Sequence, residues 1–272
     1  MLLTALLLAG QLSPFDQVVA SERAFSAASL EKGLHEAFLM NLAPDAIAFL
    51  PLPGPARPAH EGKPASSVKL SWGPTWVAVS SASDLALSTG PWQVKHTEET
   101  LVNVSTGWFF SVWRRQPDGA WKVAVDSGIS SPVKFELPQT VENGFKGAQA
   151  ATARSGGAAT ARSGVTSAER ALSAQAKAGL GKAIEARADP SIRVYREGKA
   201  AAFGSAAASA LLANDQRKVS CAAEGIVASA SGDLGYAYGS CADEGSESKY
   251  GFLRVWRMQA DGAWKVLADV TP

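Results

Sequence analysis

His96 and Asp126 are the two side chains of the sequence that could act as a general acid or base near neutral pH. Both are expected to lie on strands. His96 follows Trp92 and Val94 at a spacing of two residues, so on a strand all three side chains point to the same face. Histidine titrates near neutral pH and is the commonest general acid or base. His96 is therefore the histidine best placed for a pocket, although a lone histidine on a strand can instead be solvated or structural.

Asp126 ends an apolar stretch, and an aspartate ends a second, similar stretch at Asp269. A carboxyl group held against apolar walls has a raised pKa and can act as a base. The alternative is an ordinary solvated aspartate at the end of a strand. His35, in an expected helix, and His60, in a proline-rich loop, are weaker acid/base candidates, so His96 and Asp126 are the candidate catalytic residues.

No motif for a metal, a nucleotide or a nucleophile accompanies these side chains. The sequence lacks Cys-x-x-Cys, His-x-x-x-His, the Gly-x-Ser-x-Gly elbow and a phosphate-binding loop. It therefore predicts no metal site and no cofactor. The formal net charge is +1 and no cluster of lysines and arginines stands out, which argues against a nucleic-acid partner.

Four tryptophans are candidates for binding a small apolar molecule: Trp72, Trp76, Trp92 and Trp108. All four lie in the first half of the chain and have no tryptophan at the matching place in the second half. Aromatic side chains on strands can line a pocket for an apolar ligand. The alternative is that they fill interior space in ordinary packing.

The string DGAWKV occurs twice, at residues 118–123 and 261–266, and it belongs to a longer repeat. VWRRQPDGAWKVAVD at 112–126 matches VWRMQADGAWKVLAD at 255–269. Four shorter matches precede it in the same order in both halves: ERAF with ERAL, EGK with EGK, KLSW with KVSC, and SDL with GDL. The order of the matches indicates that a whole domain has been duplicated.

Each copy opens with an alanine-rich helical stretch and continues with extended runs joined by turn sequences such as QPDG. Helices followed by antiparallel hairpins predict an α+β fold. The copies are expected at residues 16–132 and 166–272. Residues 133–165, in which AATARSG occurs twice, are expected to be a flexible linker, because such small side chains have little to bury.

The first ten residues, MLLTALLLAG, form an apolar run that is too short to cross a bilayer. They are expected to be the apolar part of a signal peptide over residues 1–15, although a buried first helical turn is the alternative. No later stretch is apolar for long enough to span a membrane. The protein is therefore expected to be periplasmic or secreted.

The two cysteines support export. Cys221 matches Trp72 and Cys241 matches Trp92, both at the same offset (221 − 72 = 149 and 241 − 92 = 149). If a hairpin is centred near Ser231, the cysteines are directly opposite on neighbouring strands, at a separation that permits a disulfide. A disulfide fits an oxidising compartment. Two free thiols in a cytosolic protein are the alternative.

The order of helix, EGK, long hairpin, VWRR-type strand, DG turn and W-K-V strand ending in Asp resembles the SnoaL-like, DUF4440 branch of the NTF2-like superfamily. The resemblance covers both copies. It implies that each copy is a cone, with a bent antiparallel sheet wrapped around N-terminal helices and an apolar pocket inside. Isomerases, dehydratases and polyketide cyclases occur in this superfamily, so the resemblance specifies the fold better than the activity.

The leading hypothesis is an exported tandem protein whose first copy binds a small apolar molecule and whose second copy is structural or pairs with the first. The second hypothesis is an acid/base enzyme of isomerase or dehydratase type that works in the first copy. The third is a protein-interaction module, in which sheets pair face to face within the chain or in a homodimer. A titratable group facing the pocket would favour the enzyme.

Overall fold

The computed structural model describes residues 12–97, 102–145 and 157–271. In the first copy the elements are α1 (Pro14–Glu31), α2 (Leu34–Asn41), β1 (Leu42–Phe49), β2 (Pro53–Pro55), a 3-10 turn (Arg57–Ala59), β3 (Lys69–Trp72), β4 (Trp76–Val79), β5 (Leu85–Thr97), β6 (Val102–Arg115), β7 (Trp121–Ser130) and β8 (Glu142–Asn143). In the second copy they are α3 (Gly157–Ala176), α4 (Leu180–Glu185), β9 (Ala188–Tyr195), β10 (Ala202–Phe203), α5 (Gly204–Leu212), β11 (Val219–Ala228), β12 (Leu234–Asp243), β13 (Lys249–Met258) and β14 (Trp264–Val270). Helices precede hairpins in both copies, as predicted.

Each copy forms one sheet. The strand order is β2-β1-β7-β6-β5-β4-β8 in the first, with β3 also paired to β5, and β10-β9-β14-β13-β12-β11 in the second. Three strand pairs are parallel: β1 with β7, β4 with β8, and β9 with β14. The sheets are therefore mixed, whereas the sequence predicts antiparallel sheets. A tight turn forces its two strands to be antiparallel, whereas β1 and β9 enter their sheets directly after helical segments.

The DGAWKV repeat is the turn of a hairpin and the start of the last long strand in both copies. Trp121 begins β7 opposite Arg115, and Trp264 begins β14 opposite Met258. The two tryptophans therefore stand at the same register position, and the predicted equivalence of the hairpins is confirmed.

The predicted flexible linker is wrong over residues 157–165, which form the first turns of α3. Ala161 and Val165 on this helix are buried. A side-chain carbon at Gly164 would lie 2.4 Å from the indole nitrogen of Trp264, so the small residues let the helix approach the sheet closely. Within the same predicted linker, β8 pairs with β4. Residues 146–156 lie outside the described part of the chain.

Helix α1 begins two residues before the expected start of the first copy at residue 16. Pro14 is the first residue of α1, and the hydroxyl of Ser13 caps the helix by accepting a hydrogen bond from the Asp16 amide at 3.2 Å. Most of the predicted signal peptide, residues 1–11, lies outside the described residues. Across 12–97, 102–145 and 157–271, no helix combines the length and apolarity needed to cross a membrane.

Each copy has its own core between its helices and the inner face of its sheet. In the first copy, the ring of Phe25 on α1 packs edge-on against Trp72 and Trp113, with centroids 4.8 and 6.4 Å apart. In the second copy, Leu172 on α3 is fully buried in the cluster that contains Trp256. Burial of these large side chains supplies the main driving force for folding each copy.

A third core lies between the two sheets, which pack face to face. Trp108 and Phe110 of β6 contact Tyr195 of β9, with ring centroids 5.7 and 4.4 Å apart. Leu253 and Val255 of β13 belong to the same buried cluster. The outer face of each sheet is therefore covered by the other copy.

Turns of the two copies also exchange matching hydrogen bonds. The Ser81 amide donates to Asp233 at 2.9 Å, and the Ala230 amide donates to Asp84 at 2.7 Å. Ser81 corresponds to Ala230 and Asp84 to Asp233 (230 − 81 = 149 and 233 − 84 = 149). Each turn therefore donates a backbone amide to the matching aspartate of the other turn, as at the interface of a symmetric dimer.

The predicted disulfide is confirmed. Cys221 and Cys241 are directly opposite on β11 and β12 and are covalently joined. Trp72 and Trp92 are directly opposite at the matching places on β3 and β5. The same cross-strand position thus holds an aromatic contact in one copy and a disulfide in the other.

Removing the disulfide should lower the free energy of unfolding by about 3 kcal/mol, because the bond closes a loop with a sequence separation of 20 residues and so restricts the unfolded chain. Urea denaturation of the Cys221→Ser/Cys241→Ser double variant, compared with the oxidised wild-type protein, measures the difference. Reductant should bring the wild-type midpoint to that of the variant and leave the variant unchanged. Equal midpoints without reductant would show that the disulfide contributes nothing.

Candidate functional site

The first copy contains a cavity of about 270 Å³ inside its own core. The lining residues are Phe38, Leu70, Trp72, Trp92, Val94, Phe109, Ser111, Asp126, Ser127 and Gly128. Among the described lining residues, which are mostly apolar and aromatic, Asp126 is the one ionisable side chain. A small apolar pocket with one convergent polar group is the usual form of a small-molecule site.

Strand alternation decides which side chains reach the cavity. On β6, Phe109 and Ser111 line it, whereas Trp108 and Phe110 between and beside them belong to the core between the two sheets. Asp126 of β7 is directly opposite Ser111. The cavity floor is therefore set by the register of β6 with β7.

The aromatic wall is held in place by α1. The indole nitrogen of Trp72 donates a hydrogen bond to Glu22 at 2.7 Å, and the Trp72 ring packs edge-on against Phe25. Trp92 stands opposite Trp72 across β3 and β5. The orientation of Trp72 is fixed by a polar and an apolar contact together.

Glu22 is a fully buried carboxyl group directly behind the cavity floor. Its carboxyl oxygens accept hydrogen bonds from the indole nitrogens of Trp72 and Trp113, each at 2.7 Å, and from the hydroxyl of Ser111 at 3.4 Å. Burial raises the pKa of Glu22, and these hydrogen bonds offset only part of the increase. All three donors are neutral, so no cation offsets a charge on Glu22 through them.

Asp126 is partly exposed, and the surface that it exposes faces the cavity. Within the described residues no hydrogen-bond donor contacts its carboxyl group. Burial, followed by the charge of nearby Glu22, raises the pKa of Asp126 to about 8. A carboxyl group with such a pKa can both accept and release a proton near neutral pH.

A histidine pair lies next to the cavity wall. The imidazole nitrogens Nδ1 of His35 and His60 are 3.1 Å apart, and the His60 ring stacks on Phe38 with centroids 4.5 Å apart. Burial, and then the proximity of His35, lower the pKa of His60 to about 4. These two histidines, which the sequence ranked below His96, therefore lie close to a residue that lines the cavity.

The four candidate tryptophans are divided between two places. Trp72 and Trp92 line the cavity, as expected. Trp76 and Trp108 do not; both belong to the core between the sheets, where the guanidinium of Arg193 lies 4.8 Å from the Trp76 ring centre. The expectation for Trp76 and Trp108 is wrong because they point to the face of the sheet that the second copy covers.

The structure places the two catalytic candidates differently. Asp126 lines the cavity. His96 lies in β5 with its backbone opposite Asn103, but its side chain falls outside the described residues. The expectation that His96 faces the pocket stays a prediction. Within the described residues, no group of His, Cys, Asp and Glu side chains could hold a metal ion.

The matching region of the second copy contains an arginine. Arg254 of β13 is directly opposite Asp269 of β14, the register that Ser111 and Asp126 have in the first copy. The sequence offset is the same for both residues (254 − 111 = 143 and 269 − 126 = 143). Glu169 on α3 corresponds to Glu22 through the ERAL and ERAF matches.

Arg254 bridges both carboxyl groups of the second copy. Its Nε donates to Asp269 at 2.7 Å and its Nη1 donates to Glu169. Its guanidinium carbon lies 4.3 Å from the centre of the Phe252 ring. Arg196 provides a second cation by donating to Asp269 at 2.6 Å.

Because of these contacts, the pKa of the aspartate is lowered in the second copy, whereas the pKa of its counterpart Asp126 is raised in the first copy. Burial alone would raise the pKa of Asp269, but Arg196 and Arg254 hold it below its usual value. Arg254 and Asp269 are fully buried, with 0% of their surface exposed. The aspartate of the second copy is therefore charge-paired and enclosed, whereas its counterpart in the first copy is an unpaired acid in a cavity. The pocket of about 400 Å³ in the second copy is lined by Glu169 and Cys221 and does not include Asp269.

Known structures resemble single copies of this chain. No protein-family model matches the sequence, and no curated protein matches it either. An NTF2-like protein of unknown function from Prochlorococcus marinus is 22% identical over 44% of this chain and 94% of its own, with a TM-score of 0.36. An NTF2-like protein from Shewanella oneidensis is 14% identical over 43% of this chain and 98% of its own, with a TM-score of 0.35. An NTF2-like protein from Pseudomonas putida is 17% identical over 42% of this chain and 87% of its own, also with a TM-score of 0.35. Each of these matches spans less than half of this chain, and in architecture the chain consists of two similar α+β domains.

Proposed function

We propose that this is an exported protein whose first copy binds a small, largely apolar molecule in its cavity and whose second copy has a structural role. The observation that carries the proposal is the difference between the copies. Ser111 leaves a cavity of about 270 Å³ in the first copy, whereas Arg254 fills the matching place in the second. Protein interiors are close-packed and contain few voids larger than a water molecule, so a cavity of this size is unusual in a core.

The residues around the cavity suit an apolar, planar molecule. Trp72, Trp92 and Phe109 provide aromatic surface, and burial of apolar surface contributes about 25 cal/mol per Å². Phe25 and Glu22 hold Trp72 in place, so little ordering is needed on binding. Both features favour binding of a small aromatic compound.

The test uses benzamide, a neutral aromatic compound, in isothermal titration calorimetry. We expect a dissociation constant of about 0.1–1 mM for the wild-type protein, as is typical of so small a ligand. The variant Ser111→Phe should lose the binding, because its ring fills the cavity. The matched variant Ser163→Phe, on the exposed side of α3, should bind as the wild-type protein does. Absence of benzamide binding, or equal binding by all three proteins, would contradict a site in this cavity.

Acid/base catalysis in the same cavity is the second candidate function. It is favoured by Asp126, whose pKa of about 8 suits proton transfer in an apolar site. The ionised carboxylate would take a proton from a carbon next to a carbonyl group and return a proton to the same or a neighbouring carbon. This is the reaction class of an isomerase.

Exchange of the α-protons of 2-indanone in D₂O, followed by proton NMR, tests this candidate. Asp126 would remove a proton, exchange it for a deuteron from D₂O and return the deuteron to the enolate, so the ketone itself is recovered. We expect Asp126→Asn to lower the protein-dependent exchange rate by about 10²-fold or more. Exchange at the buffer rate with the wild-type protein would exclude this activity for the probe, whereas exchange that survives in the variant would exclude Asp126.

Export and the interaction alternative follow from other features. The disulfide between Cys221 and Cys241 supports a periplasmic or secreted location. The sheet faces that a homodimer could have used are covered within the chain by the other copy. Sheet-to-sheet pairing therefore supports a structural role for the second copy more than it supports a docking surface for another protein.

A further inference from the structure

We propose that the ligand of the first copy carries a compact planar cation, a guanidinium or amidinium group, on its apolar body. The cation would lie against Phe109 and pair with Asp126, with Glu22 behind the cavity floor, and the body would lie against Trp72 and Trp92. The proposal rests on the proposed function, since it names the chemical class of the molecule that this cavity binds.

The second copy already shows such a cation bound to the equivalent residues. The guanidinium of Arg254 donates to Asp269 and Glu169, which correspond to Asp126 and Glu22. It also lies over Phe252, which corresponds to Phe109 (252 − 109 = 143). Three of the residues that hold this cation are thus of the same type in both copies, while the cation itself is present in one copy alone.

The first copy has kept both acids and lost the cation. Ser111 stands at the register position of Arg254, and its neutral hydroxyl cannot neutralise either carboxyl group. Two carboxyl groups buried near each other without a cation are unfavourable when ionised. A ligand cation in the space that Ser111 leaves would restore the pairing seen in the second copy.

The cavity provides for the two parts of such a ligand separately. Phe109 provides an aromatic ring in the cavity wall that can contact a cation, and Asp126 offers carboxylate oxygens that can pair with two parallel N–H groups. Trp72 and Trp92 provide the apolar surface for the body. A neutral ligand could use the tryptophans but would leave the acids unpaired.

Binding of a cation should be coupled to release of a proton. The charged and titratable groups near Asp126 are Glu22 on α1 and, beyond Phe38, the pair of His35 and His60. Among the described lining residues there is no lysine or arginine. Asp126, with a pKa of about 8, is mostly protonated at pH 7, so it must ionise to pair with a cation.

Calorimetric titration with benzamidine and benzamide, which have nearly the same shape and differ in charge, tests the proposal. At pH 7 we expect benzamidine to bind at least tenfold more tightly and to release close to one proton, measured by comparing phosphate and Tris buffers. Its affinity should rise about tenfold from pH 6 to pH 7, while Asp126 is below its pKa. Equal affinities, or no proton release, would overturn the cation and leave the apolar site intact. Binding of neither compound would overturn the proposed function itself.

Three substitutions separate the roles of the residues. Asp126→Asn should reduce benzamidine affinity to that of benzamide and abolish the proton release. Ser111→Arg, which copies the second domain, should abolish binding of both compounds. Asp118→Asn, in an exposed turn, should leave the preference for benzamidine within about threefold of the wild-type value, because this carboxyl group does not line the cavity. A benzamidine preference that survives in Asp126→Asn would contradict the proposal.

Discussion

Replacing Arg254 with serine should destabilise the protein by about 3–5 kcal/mol, the loss usually found when one partner of a buried ion pair is removed. Arg254 is fully buried and donates to Glu169 and Asp269. Without it, Asp269 keeps Arg196, but Glu169 loses its cation and keeps hydrogen bonds from Trp256 and Ser173. The variant copies the residue type of the first domain into the second.

Urea denaturation at pH 7, followed by circular dichroism, measures this effect. The control Arg170→Ser removes an exposed arginine from the same helix as Glu169 and should change the unfolding free energy by less than about 0.5 kcal/mol. The loss in Arg254→Ser should shrink in acid, where the carboxyl groups are protonated and no longer need a cation. A loss equal to that of the control would show that the cation in the second copy is not required for the fold.

The unfolding free energy of the wild-type protein should decrease between about pH 4 and pH 8, and Asp126 should cause much of the decrease. Its pKa rises from 3.8 in the unfolded chain to about 8 in the folded protein. The folded state therefore keeps a proton that the unfolded state releases. The resulting stabilisation is fully present below pH 4 and is lost as the pH rises to about 8.

Asp126→Asn should remove this pH dependence, because the amide has the shape of the protonated acid but does not ionise. At pH 8 the variant should be more stable than the wild-type protein by about 2–4 kcal/mol, after allowance for the partial exposure of Asp126 to the cavity. Urea midpoints at pH 5, 6.5 and 8 provide the measurement. Asp118→Asn, in an exposed turn, should keep the wild-type slope. The same slope in Asp126→Asn would show that Asp126 ionises freely in the folded protein.

The sequence alone predicts which residues pair across two strands where a short turn joins them. The QPDG turn and its repeat placed Trp121 and Trp264 correctly. Symmetry about Ser231 predicts Cys221 opposite Cys241, and the pair is observed, although a register shift between Ala223 and Gly225 lies between the turn and the cysteines. In a hairpin without such a shift the partner of each residue follows from counting, as it does for Trp121 and Trp264 beside their turns.

The sequence could not decide which face of a strand points into a pocket. On β6 the apolar residues are consecutive, and both faces are buried, one by α1 and the other by the second copy. Alternation therefore carries no signal there, and Trp108 was assigned to the wrong face. Trp76 was misplaced for the same reason, since pairing of the two sheets is a property of the assembled copies.

The acid behind the cavity could have been found by comparing the copies more closely. Glu22 and Glu169 are part of the ERAF and ERAL match, and Ser111 and Arg254 stand just before the repeated VWR string. Both copies retain the two acids, but only one copy has a basic residue at the position that precedes VWR. This difference between the copies is visible in the sequence. Its meaning depends on α1 and α3 lying against β6 and β13, which a sequence pattern does not reveal.

The sequence does not predict the helix that begins at Gly157, because small residues are compatible both with a flexible linker and with a closely packed helix. Alanine and glycine offer little surface to bury, which favours a linker. They also allow a helix to approach an aromatic side chain closely, as Gly164 does at Trp264. Which meaning applies depends on a neighbour about one hundred residues away (264 − 164 = 100).

A crystal structure of the protein grown with benzamidine tests most directly whether the first copy is the binding site and the second copy is its filled counterpart. The account predicts density for the amidinium beside Asp126 and against Phe109, with the ring between Trp72 and Trp92. It also predicts that Arg254 stays between Glu169 and Asp269, with no ligand there. A first copy closed by its own side chains, or benzamidine bound in the second copy, would contradict it.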